Sequence, residues 1–295
     1  MNGTSDRSGH PDPTDDPATD AADAAAAESA RLAGYRLTGP PIRGGSGIVH
    51  PAIEAATGRA VALKALAPGH DLERLHREAE VLARIDHPNV AALRAFQTID
   101  GAPTLVVDWV DGEPLHQVLH RDGPLGAGRS LAVLSGMAAA LDAVHAAGVV
   151  HRDVSPANVM IGANGAVTVI DFGVSRSGEA ATVTADGMLA GTPRYLAPEV
   201  IEGAEPTPRS DQYGAAIVLN ELLVGSWPFP EANSMANALH HQLHTAPTPV
   251  DEVDPTLGPA LTDAILRALD KDPARRFPSM AAFLDAASGV ETAPA

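Results

Sequence analysis

One lysine stands where a bound phosphate would need a positive charge. The 295-residue chain has twenty Lys and Arg residues, of which only Lys64 and Lys271 are lysines. Lys64 follows a glycine-rich run, Gly44 to Gly47, and lies in a strand-like stretch. A compact ammonium on a flexible stem suits phosphate oxygens, and glycines let backbone N–H groups approach the same oxygens. The combination indicates a nucleotide site, although such a run also forms ordinary hairpin turns.

A carboxylate in the next segment is placed to hold that lysine. Apolar side chains recur at helical spacing from about Asp71 to Ile85, namely at Leu72, Leu75, Ala79, Leu82 and Ile85. Glu78 lies on this helix, and we predict that it pairs with Lys64. An isolated Lys and Glu are more often surface residues, so the pairing depends on the rest of the pattern.

A more specific pattern follows. The run His151-Arg152-Asp153-Val154-Ser155-Pro156-Ala157-Asn158 is followed, thirteen residues after Asn158, by Asp171-Phe172-Gly173. Carboxylate and amide oxygens are the hard ligands that Mg²⁺ prefers. Phosphoryl transfer needs such metal ligands and an oriented hydroxyl nucleophile, whereas the protein itself carries out little covalent chemistry.

These motifs resemble those of the protein kinase family, in particular its bacterial serine/threonine branch. The resemblance implies that Asp153 takes the substrate hydroxyl proton and that Asn158 and Asp171 hold magnesium. It also implies that Lys64 positions the α- and β-phosphates and that Glu78 orients Lys64. ATP and Mg²⁺ are the implied cofactors, with Mn²⁺ as an alternative metal.

The resemblance extends over about residues 35 to 287. Gly191-Thr192-Pro193-Arg194-Tyr195-Leu196-Ala197-Pro198-Glu199 resembles the segment that shapes the peptide groove, and Arg276 matches the arginine that pairs with Glu199. Small-molecule phosphotransferases of the same fold usually lack this segment, so a protein partner with a Ser or Thr acceptor is expected. Thr192 favours Ser or Thr over Tyr.

The resemblance implies an α+β, two-lobed protein kinase fold. A small antiparallel β-sheet N-lobe with one main helix is expected over residues 33–110, and a larger α-helical C-lobe over 111–287. Apolar periodicity predicts C-lobe helices near 131–144, 215–223 and 261–269. Composition predicts disordered tails over 1–32 and 288–295. The residues expected around the nucleotide are Pro41, Ile42, Arg43, Gly44, Gly45, Ser46, Gly47, Ile48, Val49, Ala62, Lys64, Val107, Asp108, Val110 and Met160.

Two positions depart from the family pattern. Ile42 replaces the first glycine of the glycine-rich loop, where a side chain can point away from the nucleotide. Ser155 replaces the lysine that usually stands two residues after the catalytic Asp153. Losing a cation near the transferring phosphoryl group costs a few kcal/mol of barrier where such stabilisers act. The alternative to an active enzyme is therefore an ATP-binding pseudokinase or weakly active scaffold.

Arg152 precedes the catalytic aspartate, which in the family marks control by phosphorylation of the activation segment. Thr182 and Thr184 lie in the middle of that segment. A phosphate there would carry about −1.5 to −2 charges and pair with arginines. Arg74, Arg152 and Arg176 are expected to converge on it.

The composition excludes other classes of protein. A net charge of −17 argues against nucleic acid and anionic membranes as partners. The absence of cysteine excludes disulfides and thiolate metal sites. No secretory signal or apolar run of about 20 residues is visible, which predicts a cytoplasmic protein. Family members also pair through the small lobe, so a homodimer of that kind is compatible with the sequence.

Overall fold

The computed structural model describes residues 34–44, 47–66, 72–172, 193–232 and 234–289. The tail predicted over 1–32 lies outside these ranges, as does most of the tail predicted over 288–295. The strands are β1 (Tyr35–Leu37), β2 (Ile42–Gly44), β3 (Gly47–Glu54), β4 (Ala60–Ala65), β5 (Leu93–Ile99), β6 (Ala102–Asp108), β7 (Glu113–Pro114), β8 (Val159–Ile161) and β9 (Val167–Val169). The helices are α1 (Leu72–Leu82), α2 (Leu115–Asp122), α3 (Ala127–Ala146), α4 (Pro198–Ile201), α5 (Pro208–Val224), α6 (Met235–His244), α7 (Val250–Val253), α8 (Pro259–Ala268) and α9 (Met280–Ala287).

The small lobe is built on an antiparallel sheet in the order β1-β3-β4-β6-β5, with β2 paired to β3. Successive side chains of a strand point to opposite faces. Val61 and Leu63 of β4 therefore pack on one face with Val106, while Ala62 and Lys64 lie on the other. The strand alternation thus directs Lys64 away from that apolar cluster.

Helix α1 packs against β5 and buries Leu75, Ala79 and Leu82. The predicted helix, Asp71 to Ile85, was too long at its C-terminal end, and Asp71 lies outside the described residues. The N–H groups of Arg84 and Ile85 donate to carbonyls three residues back, at 3.1 and 3.0 Å. The helix has tightened into a turn there, although the apolar pattern continues.

The large lobe is organised around α3 and α5. Helix α3 buries apolar side chains along one face, and α5 is buried along almost its whole length. A capping box between Thr207 and Ser210 begins α5, and Gly225 in a left-handed conformation ends it. Among the described helices, α3 is long and apolar enough to cross a membrane by length and composition alone, which the sequence analysis did not recognise. Eight of its side chains are buried, and here it forms part of the core.

An ion pair joins two stretches of the large lobe that are far apart in the sequence, as the family resemblance implied. Arg276, only 1% exposed, donates to both carboxylate oxygens of Glu199 at 2.7 Å. Its guanidinium also donates to the backbone carbonyls of Asp270 and Arg209. A buried guanidinium is tolerated only with its donors satisfied in this way.

Candidate nucleotide and phosphoryl-transfer site

Lys64 and Asp171 meet in the cleft between the lobes. Lys64 lies opposite Val49 of β3 and Leu105 of β6 in the sheet. Its side chain is 6% exposed, and its Nζ is 3.0 Å from Oδ2 of Asp171. The sequence separates these residues by more than a hundred positions, and the fold places them in contact as the nucleotide-site prediction requires.

The glycine-rich run forms a tight hairpin beside Lys64. Ile42 pairs with Val49, Arg43 with Ile48, and Gly44 with Gly47. Ile42 is 51% exposed, so its side chain lies largely in solvent, as expected for a residue that replaces a glycine there. Pro41 precedes the hairpin, whereas Gly45 and Ser46 at its tip lie outside the described residues.

Asp153 and Asn158 belong to one short loop that is hydrogen-bonded to itself. Nδ2 of Asn158 donates to the backbone carbonyl of Asp153 at 2.8 Å, and the Asn158 N–H donates to that of Ser155. The N–H of Ile170 donates to the Asn158 carbonyl at 2.9 Å. This bond ties the loop to the strand that leads into Asp171, so the three predicted functional side chains lie on adjoining backbone.

The chain just before this loop is anchored by Asp211 of α5. Its carboxylate accepts hydrogen bonds from the N–H groups of His151 and Arg152, at 2.8 and 2.9 Å. Nε2 of His145 lies 2.7 Å from the same carboxylate. Arg152 has φ of +68° and Asp171 of +60°, a region costly for residues other than glycine. Nothing in the sequence indicated that His145 is a partner of Asp211.

Glu78 has a different partner from the one predicted. Its Oε1 lies 3.3 Å from the Arg152 guanidinium and 3.5 Å from Nε of Arg74. Between Lys64 and Glu78, both described residues, no ion pair is present. The predicted Lys64–Glu78 pair is therefore wrong for this conformation, because two arginines hold the glutamate and Asp171 holds the lysine.

The stretch from Asp108 to Val110, which includes two of the residues expected around the nucleotide, is supported by arginines that the sequence analysis missed. Nε of Arg94 donates to Oδ1 of Asp108 at 2.6 Å, a second guanidinium nitrogen donates to Oδ2, and Arg59 lies 3.5 Å away. The Arg94 hydrogen bond, chiefly, holds the pKa of Asp108 below its usual range. Arg94 stands at an irregularity in the β5–β6 register, which no local sequence signal reveals.

Two of the three N–H groups of this stretch are already used within the small lobe. Asp108 donates to the Ala92 carbonyl and Trp109 to that of Ala60. Within the described residues the N–H of Val110 has no hydrogen-bond partner, so it is the N–H group of the three that can donate to the base of a nucleotide. Ala62, paired with Val107 on the neighbouring strand, is buried, and Met160 on β8 is half-buried.

Several predicted residues of the activation segment lie outside the described ranges: Gly173, Arg176, Thr182, Thr184, Gly191 and Thr192. The chemistry of Asn158 and Asp171 fits magnesium. Since Nδ2 of Asn158 is engaged by the Asp153 carbonyl, its amide oxygen is the atom left for a cation. Together with the Asp171 carboxylate it offers hard oxygen ligands.

Comparison with known proteins agrees with this geometry. The protein kinase domain model matches residues 43–286. Serine/threonine-protein kinase PknA of Mycobacterium tuberculosis is 36% identical over 266 residues, which cover 87% of this chain and 61% of that protein. Serine/threonine-protein kinase pkn3 of Myxococcus xanthus is 34% identical over 264 residues, covering 84% of this chain and 48% of that protein.

A solved structure shows the same architecture. The crystal structure of Rad53 1–466 in complex with AMP-PNP superposes with a TM-score of 0.73 at 23% identity, covering 86% of this chain and 65% of that one. The fold and site define a two-lobed kinase domain. The chain belongs to the protein kinase family and is similar to its bacterial serine/threonine members. It spans less than two thirds of the length of the curated relatives named above.

Proposed function

We propose that this protein transfers the γ-phosphoryl group of ATP to Ser or Thr hydroxyls of proteins. The contact between Lys64 and Asp171 carries the proposal. It brings the two side chains that the family uses on the triphosphate and its metal into one cleft, beside the loop of Asp153 and Asn158. Magnesium, or manganese in its place, would neutralise phosphate charge when held by Asn158 and Asp171.

Each side chain then has a defined task. Asp153 orients the acceptor hydroxyl and takes its proton as the oxygen attacks the γ-phosphorus. The bond from that phosphorus to the β–γ bridging oxygen breaks, and ADP leaves with the negative charge. Lys64 turns from Asp171 to the α- and β-phosphates. Anchoring by Asp211 keeps the loop rigid, so that orientation rather than covalent chemistry lowers the barrier.

The second candidate is a pseudokinase that binds ATP and acts as a scaffold, and Ser155 is the residue that favours it. Transfer of labelled γ-phosphate to the protein itself and to a generic basic protein separates the two. Signal in the parent that disappears in Asp153→Asn supports the enzyme. Nucleotide binding of normal affinity with no transfer in either protein would instead establish the scaffold.

We also propose that autophosphorylation at Thr182 or Thr184 activates the protein. Arg74 and Arg152, two of the three arginines predicted to bind that phosphate, both hold the Glu78 carboxylate. A phosphate carries more charge than a carboxylate and competes for guanidinium groups. Its arrival would release Glu78 to Lys64, and Lys64 would in turn be oriented for the nucleotide.

Mass spectrometry after incubation with Mg-ATP tests this activation. Phosphate is expected on Thr182 or Thr184, and the Thr182→Ala/Thr184→Ala double variant should lose most of the activity towards an added substrate. An active protein that carries no phosphate between residues 175 and 192 would end the hypothesis.

A further inference from the structure

A hydrogen-bonded chain leads from Lys271, the second of the two lysines, to the backbone of Arg194. Nζ of Lys271 donates to Oη of Tyr213 at 3.3 Å. That hydroxyl donates to Oε1 of Gln242 at 2.6 Å, and Nε2 of Gln242 donates to the Arg194 carbonyl at 2.5 Å. Tyr213 belongs to α5 and Gln242 to α6, and both side chains are buried.

The bond directions in this hydrogen-bonded chain agree from both ends, because the Lys271 ammonium only donates and the Arg194 carbonyl only accepts. A protonated lysine has three donors and no acceptor. The Tyr213 oxygen therefore accepts from Lys271, and its own proton is directed to Gln242. Because the Gln242 oxygen receives that proton, its NH₂ group must face Arg194. Without the ammonium, the Tyr213 hydroxyl would lose the donor that polarises it, and the hydrogen bonds from Tyr213 to Gln242 and from Gln242 to Arg194 would weaken.

Lys271 itself is held in place from three sides. Besides Tyr213, its Nζ donates to the His241 carbonyl at 3.4 Å and lies 4.2 Å from the centre of the Phe229 ring. Among the described residues it has no carboxylate within 4.0 Å. Its contacts therefore serve the packing of α5 against α6 and the Tyr213 hydroxyl, not a salt bridge.

The hydrogen-bonded chain ends at Arg194, in a segment that faces the loop of Asp153 and Asn158. The Arg194 carbonyl also accepts from Nε1 of Trp227 at 2.9 Å. The next residue, Tyr195, donates its hydroxyl proton to Glu221 at 2.7 Å. Arg194 and Tyr195 line a cavity of about 770 Å³ together with Pro156, three residues after Asp153.

We propose that Lys271, acting through Tyr213 and Gln242, is a positioning residue that holds Arg194 and Tyr195 for the protein acceptor. The inference rests on the proposed phosphoryl transfer. The network lies entirely in the large lobe, whereas Lys64 and the glycine hairpin that would hold the nucleotide lie in the small lobe. Its loss should therefore weaken use of the protein substrate and leave use of ATP unchanged.

Steady-state kinetics of Lys271→Met, Gln242→Leu and the double variant test the proposal. Each single change should raise KM for the protein substrate about tenfold, the scale of one net hydrogen bond. The ATP KM and kcat should change less than about twofold. The double variant should be no worse than Gln242→Leu alone, because both changes break one chain.

Arg267→Met is the matched control. It removes another cation packed on an aromatic ring, 4.1 Å from the centre of Phe277, outside the network, and should leave the protein-substrate KM unchanged. Lys271→Arg keeps a donor-only cation and should restore most of the parent KM. Equal losses in both substrates, additive single changes, or an unchanged protein-substrate KM in Lys271→Met would overturn the proposal.

Amide hydrogen exchange separates this proposal from the proposed function. Even if the parent transfers no phosphate, Lys271→Met should speed exchange at residues 194–196, and Arg267→Met should not. Unchanged exchange in Lys271→Met would reject the positioning role, whatever the enzyme assay shows.

Discussion

The carboxylate of Glu78 lies 3.3 Å from the guanidinium of Arg152, the residue immediately before Asp153. This contact links the main helix of the small lobe directly to the loop that carries the proposed catalytic base. It also withholds Glu78 from Lys64, which pairs with Asp171 instead. The conformation is therefore one in which both members of the predicted Lys64–Glu78 pair are engaged elsewhere.

Removing the Arg152 side chain should weaken the hold on Glu78, although Arg74 stays 3.5 Å from the same carboxylate. In a Thr182→Ala/Thr184→Ala background, where neither predicted phosphate can form, we expect Arg152→Asn to raise substrate phosphorylation severalfold. Asn is chosen because it adopts positive φ more readily than most residues, as position 152 requires. Arg77→Asn on the exposed side of the same helix is the control and should have no effect. Unaltered or lower activity in Arg152→Asn would contradict a restraining role for the pair.

Ser155 is the main departure from the family pattern, and its effect can be measured directly. Ser155→Lys supplies a cation near the transferring phosphoryl group, so kcat should be equal to or higher than that of the parent. Ser155 is buried, so Ser155→Met, which adds similar bulk without charge, should give no gain. A large fall in kcat with lysine but not with methionine would mean that the added charge is harmful, whereas a large fall with both would mean that the serine has its own role.

Stability should rise with pH because of Lys271. Burial, and then the Arg276 guanidinium, lower the pKa of Lys271 from 10.5 to about 8, while Asp270 acts weakly in the opposite sense. Between these values the unfolded chain binds the proton that the folded chain has lost, so the free energy of unfolding increases with pH. The penalty on folding is thus fully present below pH 8 and is relieved as pH rises from about 8 towards 10.5.

Urea unfolding of the parent and Lys271→Met from pH 7 to 9.5 measures this effect. Burial raises the pKa of Tyr195 and Tyr213 in the folded protein, so ionisation of tyrosine in the unfolded chain near pH 10 lowers the free energy of unfolding. Both proteins share this effect, and the difference between them therefore reports Lys271 alone. The parent should gain stability relative to Lys271→Met across this range. Parallel curves would show that Lys271 titrates normally in the folded protein.

Breaking the Arg276–Glu199 pair should destabilise the large lobe severely. Arg276→Met leaves Glu199 without its bidentate partner, and removing one member of a buried pair typically costs about 3–5 kcal/mol. Arg275→Met next to it is the control, since the Arg275 side chain is 74% exposed and its loss should stay within about 0.5 kcal/mol. Equal unfolding free energies for the two variants would contradict the structural role assigned to Arg276.

The residue types of the site could be predicted from the sequence because phosphoryl transfer restricts them closely. Lys64 and Asp171 were expected to converge and do so, and the Arg276–Glu199 pair was expected and is confirmed. The partner of Glu78 could not be predicted, because Arg74, Arg152 and Lys64 are all suitable cations and only the position of α1 decides among them. The roles of Thr182 and Thr184 stay predictions.

Two further failures have physical causes. Apolar periodicity extended α1 to Ile85, yet the backbone bonds tighten before that residue because Pro88 follows soon after and the chain must turn. The support of Asp108 by Arg94 depends on strand register, which shifts at that point of β5. Strand register is set by tertiary packing, so it cannot be deduced from the thirteen residues between Arg94 and Asp108.

The near-absence of lysine has a practical consequence. Lys64 is buried in the cleft and Lys271 is half-buried against α6, so an amine-directed label meets only these two side chains and the α-amino group in the whole chain. Occupancy of the cleft could then be followed by the labelling of one amine, with the other as an internal reference. In a chain with the usual number of surface lysines, labelling of those lysines would obscure the change at the cleft amine.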